Sequence, residues 1–379
     1  MKHSWITRHR ILVYFLILGN CFLLSFARPG VAHASSGNFT QYTFNESAGS
    51  LSYFVYTPAN YQVGTTVPMI VMLHGCGGNS TEFANLTQMN VLADQKQFIV
   101  VYPQQSILLD PALCWNFFLT ADQSRGSREP SLIAGITQAV EQTTSQWTID
   151  PRRVYVAGFS AGAGMAAIMG ATYSDLFAAI GLASGWEYQV LSEPTLDLNL
   201  VNFALTRSGP DATQQGQAAF NAMGSAARVV PTIDFQGQSD LIATPINGDQ
   251  VIQQWMETDR LASHGTYTAS FSSPTTTTTV GQVPGLLGHP YTVQTWNDAH
   301  GNEIEEYWKI FGMGHAWSGT NTQPIFTDPF GPSATNAIYT FFLNHPKNCA
   351  RLEPLPPFRV TLHHASVWRH NCGEAAPPL

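Results

Sequence analysis

A serine flanked by glycines occurs in the segment Gly158-Phe-Ser160-Ala-Gly162. The pattern G-x-S-x-G is typical of a nucleophilic serine on a sharp turn between a strand and a helix. The apolar run Val154-Tyr-Val-Ala157 precedes it, and the small residues from Ala161 to Tyr173 predict a helix after it. This context favours a nucleophile over an ordinary serine in a glycine-rich turn. We therefore expect acyl transfer at Ser160.

A serine is a weak nucleophile without a base, and in this type of site the histidine comes last along the chain. His315 lies in Gly312-Met-Gly314-His315-Ala-Trp317, directly after a strand-like run. A loop at the end of a late strand is where a base can reach the turn that carries the serine. We predict His315 as the base and His289 as the second choice, the alternative being a surface or packed histidine.

The acid that orients the base is expected between the serine and the histidine. Asp240 follows the apolar run at 229–235 through Gln236-Gly-Gln-Ser, which reads as a loop at a strand end. Asp234 lies inside that run and is less suitable, and Asp298 is held in reserve. We predict Asp240, with a solvated loop aspartate as the alternative.

Acyl transfer also needs donors for the negative oxygen of the intermediate. One is the amide of Ala161, and a second should come from the loop after an early strand. His74-Gly75-Cys76-Gly77-Gly78 follows the apolar run 69–73. We predict Cys76 as that second donor, with an ordinary glycine-rich loop as the alternative.

Short apolar runs closed by Gly or Pro predict the strands that must position these residues. Such runs are typical of strands buried on both faces of a parallel sheet. They alternate with helical patterns, which predicts an α/β protein with a doubly wound, mostly parallel sheet. Together with the G-x-S-x-G turn, this sheet predicts the α/β-hydrolase type. The strands are predicted at 69–73, 98–102, 154–157, 178–183, 229–235 and 307–311, with an edge strand at 53–57, and the helices at 132–147, 161–173, 214–223, 249–261 and 334–343.

Two segments have no such pattern. Residues 187–210 show no clear period, and we expect them to cover the active site. The threonine run after Pro274 is of low complexity but also suits an exposed strand.

The first 34 residues read as an export signal, with basic residues, an apolar stretch and Ala32-His33-Ala34 before a cleavage site. A retained membrane anchor is the alternative. We predict a catalytic domain over 35–348 and a Pro-rich tail over 349–379, without a separate substrate-binding domain. Removing the signal deletes four basic and no acidic side chains and lowers the formal net charge from −8 to −12. Such an acidic protein is a poor partner for nucleic acid or anionic lipid.

Four cysteines remain after export, and an even number in an oxidising compartment predicts two disulfides. Three pairings are possible. We favour Cys349 with Cys372, which flank the Pro-rich tail, and Cys76 with Cys114. Zinc binding is the weaker interpretation because the chain has no C-x-x-C pair.

Several segments together resemble the extracellular poly(3-hydroxybutyrate) depolymerase-family esterases, which are similar to carbohydrate esterase family 1 and include feruloyl and acetylxylan esterases. The resemblance extends from about residue 50 to 345. The matching segments are Leu73-His-Gly-Cys-Gly-Gly78, Cys114-Trp-Asn-Phe-Phe118, Gly158-Phe-Ser-Ala-Gly-Ala-Gly-Met165, Gly237-Gln-Ser-Asp240, Gly314-His-Ala-Trp-Ser-Gly319 and Thr327-Asp-Pro-Phe-Gly-Pro332.

The resemblance implies the same triad of Ser160, Asp240 and His315. It also implies that Cys76 and Cys114 are bridged. Trp115 and Trp317 would then lie near the substrate, with plain core packing as the alternative. The family often has His at the position of Gln236.

We therefore predict a secreted, monomeric serine carboxylesterase that hydrolyses polyhydroxyalkanoate polymer or oligomers through an acyl-enzyme. No metal or organic cofactor, nucleic acid or membrane partner is expected. A feruloyl or acetylxylan esterase acting on plant polysaccharide is the alternative. A non-catalytic secreted binding protein on a hydrolase scaffold is a further alternative from a different class.

Overall fold

The computed structural model describes residues 36–191, 209–280, 283, 287–323 and 325–347. Strands and helices alternate through the middle of the chain. The strands are β1 (Asn38–Glu46), β2 (Gly49–Thr57), β3 (Thr66–Leu73), β4 (Ile99–Gln104), β5 (Thr148–Phe159), β6 (Ile180–Ala183), β7 (Thr232–Gly237), β8 (Thr276–Val280), β9 (Tyr291–Asn297), β10 (Glu303–Ile310), β11 (Trp317–Ser318) and β12 (Thr327–Asp328). The helices are α1 (Ser80–Thr87), α2 (Met89–Lys96), α3 (Arg128–Gln142), α4 (Ala161–Thr172), α5 (Ala212–Met223), α6 (Pro245–Ala262) and α7 (Ala334–Asn344).

One ten-stranded sheet has the order β1-β2-β4-β3-β5-β6-β7-β10-β9-β8. Its central strands β4, β3, β5, β6, β7 and β10 run parallel, and antiparallel strands extend it at both sides. Strands β11 and β12 form a separate parallel pair. The predicted α/β fold with a mostly parallel sheet is confirmed.

Helices cover both faces of the sheet. Side chains of α3, α4, α5 and α6 share a hydrophobic core with one face, and side chains of α1, α2 and α7 share a second core with the other. The central strands therefore have buried side chains on both sides, as in Met69–Leu73 of β3. This double burial is the reason that their sequences are continuous apolar runs.

The sheet is wider than the sequence predicts. The run at Tyr53–Thr57 was expected to be an edge strand, but β2 lies inside the sheet because β1 pairs with it along its whole length. The threonine run forms β8 at the opposite edge, which agrees with the exposed-strand interpretation. Neither β1 nor β9 was predicted, because both mix polar and apolar residues.

Some predictions fall outside the described residues. These are the export signal at 1–34, the tail at 349–379 with Cys349 and Cys372, and residues 192–208 of the segment expected to cover the site. Among the described helices, none combines the length and the apolar character needed to cross a membrane.

Candidate active site

Ser160 occupies a strained turn between β5 and α4. Its backbone angles are φ 55° and ψ −123°, a conformation that non-glycine residues rarely adopt. Both flanking glycines are required by close backbone contacts. A Cβ on Gly158 would lie 2.1 Å from the carbonyl oxygen of Gly162, and a Cβ on Gly162 would lie 2.0 Å from that of Leu73. The backbone of this segment has the geometry of a nucleophile elbow.

Helix α4 begins directly after Ser160, whose carbonyl oxygen accepts hydrogen bonds from the amides of Ala163 and Gly164. The N-terminus of α4 carries partial positive charge, which stabilises negative charge at the serine turn. Ser160 is 8% exposed, so its surroundings exclude most solvent while leaving an opening.

Asp240 and His315 are brought together by the loops after β7 and β10. The Nδ1 atom of His315 lies 2.8 Å from Oδ2 of Asp240. The other carboxylate oxygen of Asp240 accepts a hydrogen bond from the amide of Ile242 at 2.8 Å. The imidazole packs against Phe159, with ring centroids 4.9 Å apart, so it lies beside the residue that precedes Ser160.

The reserve candidates are held elsewhere. His289 has its own partner, with Nε2 at 3.0 Å from Oδ2 of Asp328. Asp234 is fully buried inside β7, where burial raises the pKa of its carboxyl well above the usual range. Asp298 lies in an exposed turn and accepts hydrogen bonds from the amides of His300 and Asn302. The first choices, Asp240 and His315, are the two candidates that pair with each other.

The loop after β3, residues 74–79, lies directly against the serine, and we call it the oxyanion loop after its predicted role. A Cβ on Gly75 would lie 3.2 Å from the Cβ of Ser160. Within the described part of the chain, the amides of Cys76 and Ala161 donate to no carbonyl or side chain, so both remain able to bind an oxyanion. Cys76 is disulfide-bonded to Cys114, which confirms the implied bridge.

The His74 side chain links this loop to the end of β4 by two hydrogen bonds. Its Nε2 accepts from the amide of Gln105 at 3.1 Å, so Nδ1 carries the proton and donates to the carbonyl oxygen of Gly75 at 2.7 Å. The ring is fully buried and lies 5.5 Å from the ring of Trp115. Burial lowers the pKa of His74 to about 4, which keeps the imidazole neutral in this arrangement.

Glu129, in the first turn of α3, holds the segment that follows β4, to which the partner of His74 belongs. Its carboxylate accepts from Nε2 of Gln105 at 2.6 Å and from the backbone amide of Asn116 at 2.7 Å. Gln105 also donates to the carbonyl oxygen of Cys114 at 2.7 Å. Burial, together with the negative charge of Asp122, raises the pKa of Glu129 to about 8. No motif predicts this buried network, although His74 is the first residue of the glycine-rich segment His74–Gly78.

Gln236, where the family often has His, supports the acid loop. Its Nε2 donates to the carbonyl oxygens of Gly237 at 3.0 Å and Ala243 at 2.7 Å. These two bonds span the turn that contains Asp240. An uncharged amide therefore supports the acid in this chain.

Trp115 and Trp317 are both fully buried. Trp317 donates from its indole nitrogen to Oγ1 of Thr335 at 2.9 Å and packs against Phe83. Trp115 lies against His74 under the oxyanion loop. These positions favour core packing over direct contact with a substrate, because neither ring reaches the surface.

This arrangement has the parts needed for acyl transfer: a serine on a strained turn, a paired imidazole and carboxylate, and two unpaired amides beside the serine. Among the described residues, no cluster of three His, Cys, Asp or Glu side chains could hold a metal ion.

Comparison with known proteins identifies the relatives of this chain. Residues 51–270 match the profile of a family described as Esterase PHB depolymerase. Poly(3-hydroxyalkanoate) depolymerase C of Paucimonas lemoignei is 28% identical over 308 residues, covering 79% of this chain and 67% of that protein. The acetylxylan esterase of Coprinopsis cinerea is 29% identical over 309 residues, covering 80% and 75%. Feruloyl esterase B of Talaromyces stipitatus is 30% identical over 237 residues, covering 62% and 64%.

Among solved structures, an acetyl xylan esterase from Aspergillus awamori superposes with a TM-score of 0.57 at 22% identity. The match covers 73% of this chain and 94% of that one. This likeness shows the α/β-hydrolase fold.

Proposed function

The chain belongs to the Esterase PHB depolymerase family, and from this premise we propose that it is a serine carboxylesterase with Ser160, His315 and Asp240 as its catalytic triad. One observation carries the proposal. The candidate serine sits on a strained, glycine-flanked turn, and the late-strand histidine beside that turn is hydrogen-bonded to the acid-loop aspartate.

In the proposed reaction, Nε2 of His315 takes the hydroxyl proton of Ser160 as its oxygen attacks the ester carbonyl. Asp240 holds Nδ1 and stabilises the imidazolium that forms. The amides of Cys76 and Ala161 stabilise the oxyanion. His315 then gives the proton to the leaving alcohol, and an acyl-enzyme remains. Water, activated by the same histidine, releases the acid and restores Ser160.

We propose an aliphatic polyhydroxyalkanoate, as polymer or oligomer, as the substrate. Similarity to a protein named as a poly(3-hydroxyalkanoate) depolymerase over most of this chain supports this choice. Acetylated xylan is the second candidate, supported by comparable similarity to an acetylxylan esterase over 75% of that relative. Feruloyl esters follow, on the basis of a shorter match.

We also propose that the protein acts outside the cell. The Cys76–Cys114 disulfide fastens the oxyanion loop, and such a structural bond persists in an oxidising compartment.

A side-by-side assay separates these substrates. Hydroxybutyrate oligomers, methyl ferulate and acetylated xylan are offered to the same purified protein, and kcat/KM is measured for each. The proposal expects the oligomers to exceed both others by about tenfold or more. A kcat/KM for acetylated xylan or methyl ferulate that exceeds the value for the oligomers by about tenfold would overturn the substrate assignment. Hydrolysis of any of the three esters would retain the esterase assignment.

A further inference from the structure

Large apolar side chains are exposed on the loops at the carboxyl edge of the parallel strands, where Ser160 also lies. Leu108 is 91% exposed and Ile107 is 66% exposed, directly after β4. Phe311 follows β10, and Ile246 lies in the first turn of α6 after β7. We call the following exposed residues the apolar rim: Ile107, Leu108, Ile246, Leu287, Phe311 and Ile325.

The strand order places this apolar rim on both sides of the serine. Ser160 follows β5. Strand β4, which leads to Ile107 and Leu108, is two positions away on one side, and β7, which leads to Ile246, is two positions away on the other. Two strand spacings are about 10 Å. Strand β10, which leads to Phe311, is the next one beyond β7. An ester reaching Ser160 therefore arrives between two apolar patches.

The turn that carries Ile107 and Leu108 is rigidly held. The amides of Leu109 and Asp110 both donate to the carbonyl oxygen of Ser106 at 2.9 Å. Farther along this loop, the carbonyl oxygen of Ala112 accepts from the amide of Gly77, and the loop ends at the disulfide to Cys76. Withdrawal of these two side chains from the surface would break the backbone hydrogen bonds that close the turn. Apolar side chains presented together on a rigid surface mark an interaction site.

The loops around the apolar rim carry almost no exposed charge. Residues 74–79, 105–113, 238–244, 311–323 and 325–333 contain no Lys or Arg. Their acidic side chains are Asp110 and Asp240, each 1% exposed, and Asp328, which pairs with His289. This surface suits an uncharged partner. Lys309, two residues before Phe311, is paired with Asp249 at 2.8 Å, so it is not a free cation for an anionic lipid headgroup. The apolar side chains do not match the hydroxyl-rich surface of a polysaccharide.

We propose that the apolar rim is a docking surface by which the catalytic domain itself adsorbs to a solid aliphatic polyester. This inference rests on the proposed polyhydroxyalkanoate esterase function. The alkyl groups of such a solid bury the rim, and its backbone esters lie opposite Ser160. Adsorption through the rim brings the scissile bond to the nucleophile.

Adsorption to a poly(3-hydroxybutyrate) film, followed by quartz-crystal microbalance, tests this. All proteins carry Ser160→Ala so that the film is not eroded during the measurement. The double variant Ile107→Ser/Leu108→Ser is compared with the control Val63→Ser. The Val63 side chain is 64% exposed and lies before β3, at the amino ends of the parallel strands and so away from Ser160. We expect affinity for the film to fall about tenfold or more in the double variant and to change less than about twofold in Val63→Ser.

Further measurements separate the possible outcomes. Thermal melting checks that each variant folds. In the background that retains Ser160, film hydrolysis should fall about tenfold relative to hydrolysis of soluble oligomers. Equal adsorption of both variants to the film would overturn the docking surface. Stronger binding to phosphatidylcholine vesicles or acetylated xylan particles than to the film would also overturn it. So would self-association that depends on the rim in place of film binding. Rim-dependent adsorption without oligomer hydrolysis would support the docking surface and overturn the proposed function.

Discussion

His74 stabilises the oxyanion loop only as a neutral side chain. One ring nitrogen accepts from the amide of Gln105, and the other donates to the carbonyl oxygen of Gly75. Protonation would place a hydrogen on the accepting nitrogen, so that both ring nitrogens become donors, and would break the bond to Gln105. The side chain has no access to solvent that could replace that bond. The geometry of the loop beside Ser160 thus depends on the protonation state of this one residue.

This dependence predicts that the folded protein loses stability in acid. An unfolded histidine titrates near pH 6.5, whereas burial lowers the pKa of His74 to about 4. Between these values the unfolded chain binds more protons, so the free energy of unfolding falls as the pH is lowered from 6.5 towards 4. The contribution is on the order of 3 kcal/mol in total. Urea unfolding at several pH values should show this slope.

The variant His74→Phe should lose that part of the slope. It should also be less stable at neutral pH by about 1–3 kcal/mol, because the partners of the imidazole are left buried and unpaired. His300→Phe serves as the control, since His300 is exposed. An unchanged slope in His74→Phe, or an equal loss in His300→Phe, would show that another group is responsible.

Among the secondary-structure elements, β3 and α4 make the contact on which the site depends most. The helix approaches the end of the strand so closely that Gly162 has no room for a side chain, since a Cβ would lie 2.0 Å from the carbonyl oxygen of Leu73. This approach sets the serine turn against the oxyanion loop, both of which begin where these two elements meet.

Replacing Gly162 by Ala should therefore separate strand from helix. We expect a loss of about 3 kcal/mol or more in the free energy of unfolding, at or above the upper end of the values typical of overpacking, because the contact would be with backbone. Gly314→Ala is the matched control, because no atom lies within 4 Å of a Cβ at that position. Chemical denaturation of both variants measures the difference, and comparable stability of the two would refute the proposed close contact.

The elements differ in how well their sequences predict them. Strands β3 and β4 and the second half of β5 are buried on both faces and read as apolar runs, which predict their positions. The first half of β5, with the sequence TIDPRR, is polar and partly exposed, and no apolar run predicts it. Strand β1 is exposed along much of its length, and its residues NFTQYTFNE lack both a turn signal and a continuous run.

For the site, motif and chain order were sufficient to select the pair Asp240 and His315. The bonds of His74 and Glu129 could not be predicted in this way. Gln105 lies 31 residues from His74, and Asn116 lies 13 residues from Glu129, so these bonds depend on how β3, β4 and α3 pack.

At the scale of the whole molecule, charge and apolar surface are separated. The chain has a formal net charge of −8, yet residues 74–79, 105–113, 238–244, 311–323 and 325–333 around the apolar rim contain no Lys or Arg, and their Asp110 and Asp240 are buried. A net charge far from zero opposes self-association in solution. The apolar rim can therefore remain exposed without driving aggregation, which is what a protein that docks on an uncharged solid requires.

The central claim, that one serine of this chain forms an acyl-enzyme, is tested most directly by labelling the intact protein with a fluorophosphonate probe. Mass spectrometry should show one equivalent of probe, located on the peptide that contains Ser160. Ser160→Ala should take up no label, melt like the unaltered protein and hydrolyse a p-nitrophenyl ester about 10⁴-fold more slowly or worse. Label on a different residue, or turnover retained by a folded Ser160→Ala protein, would contradict the account.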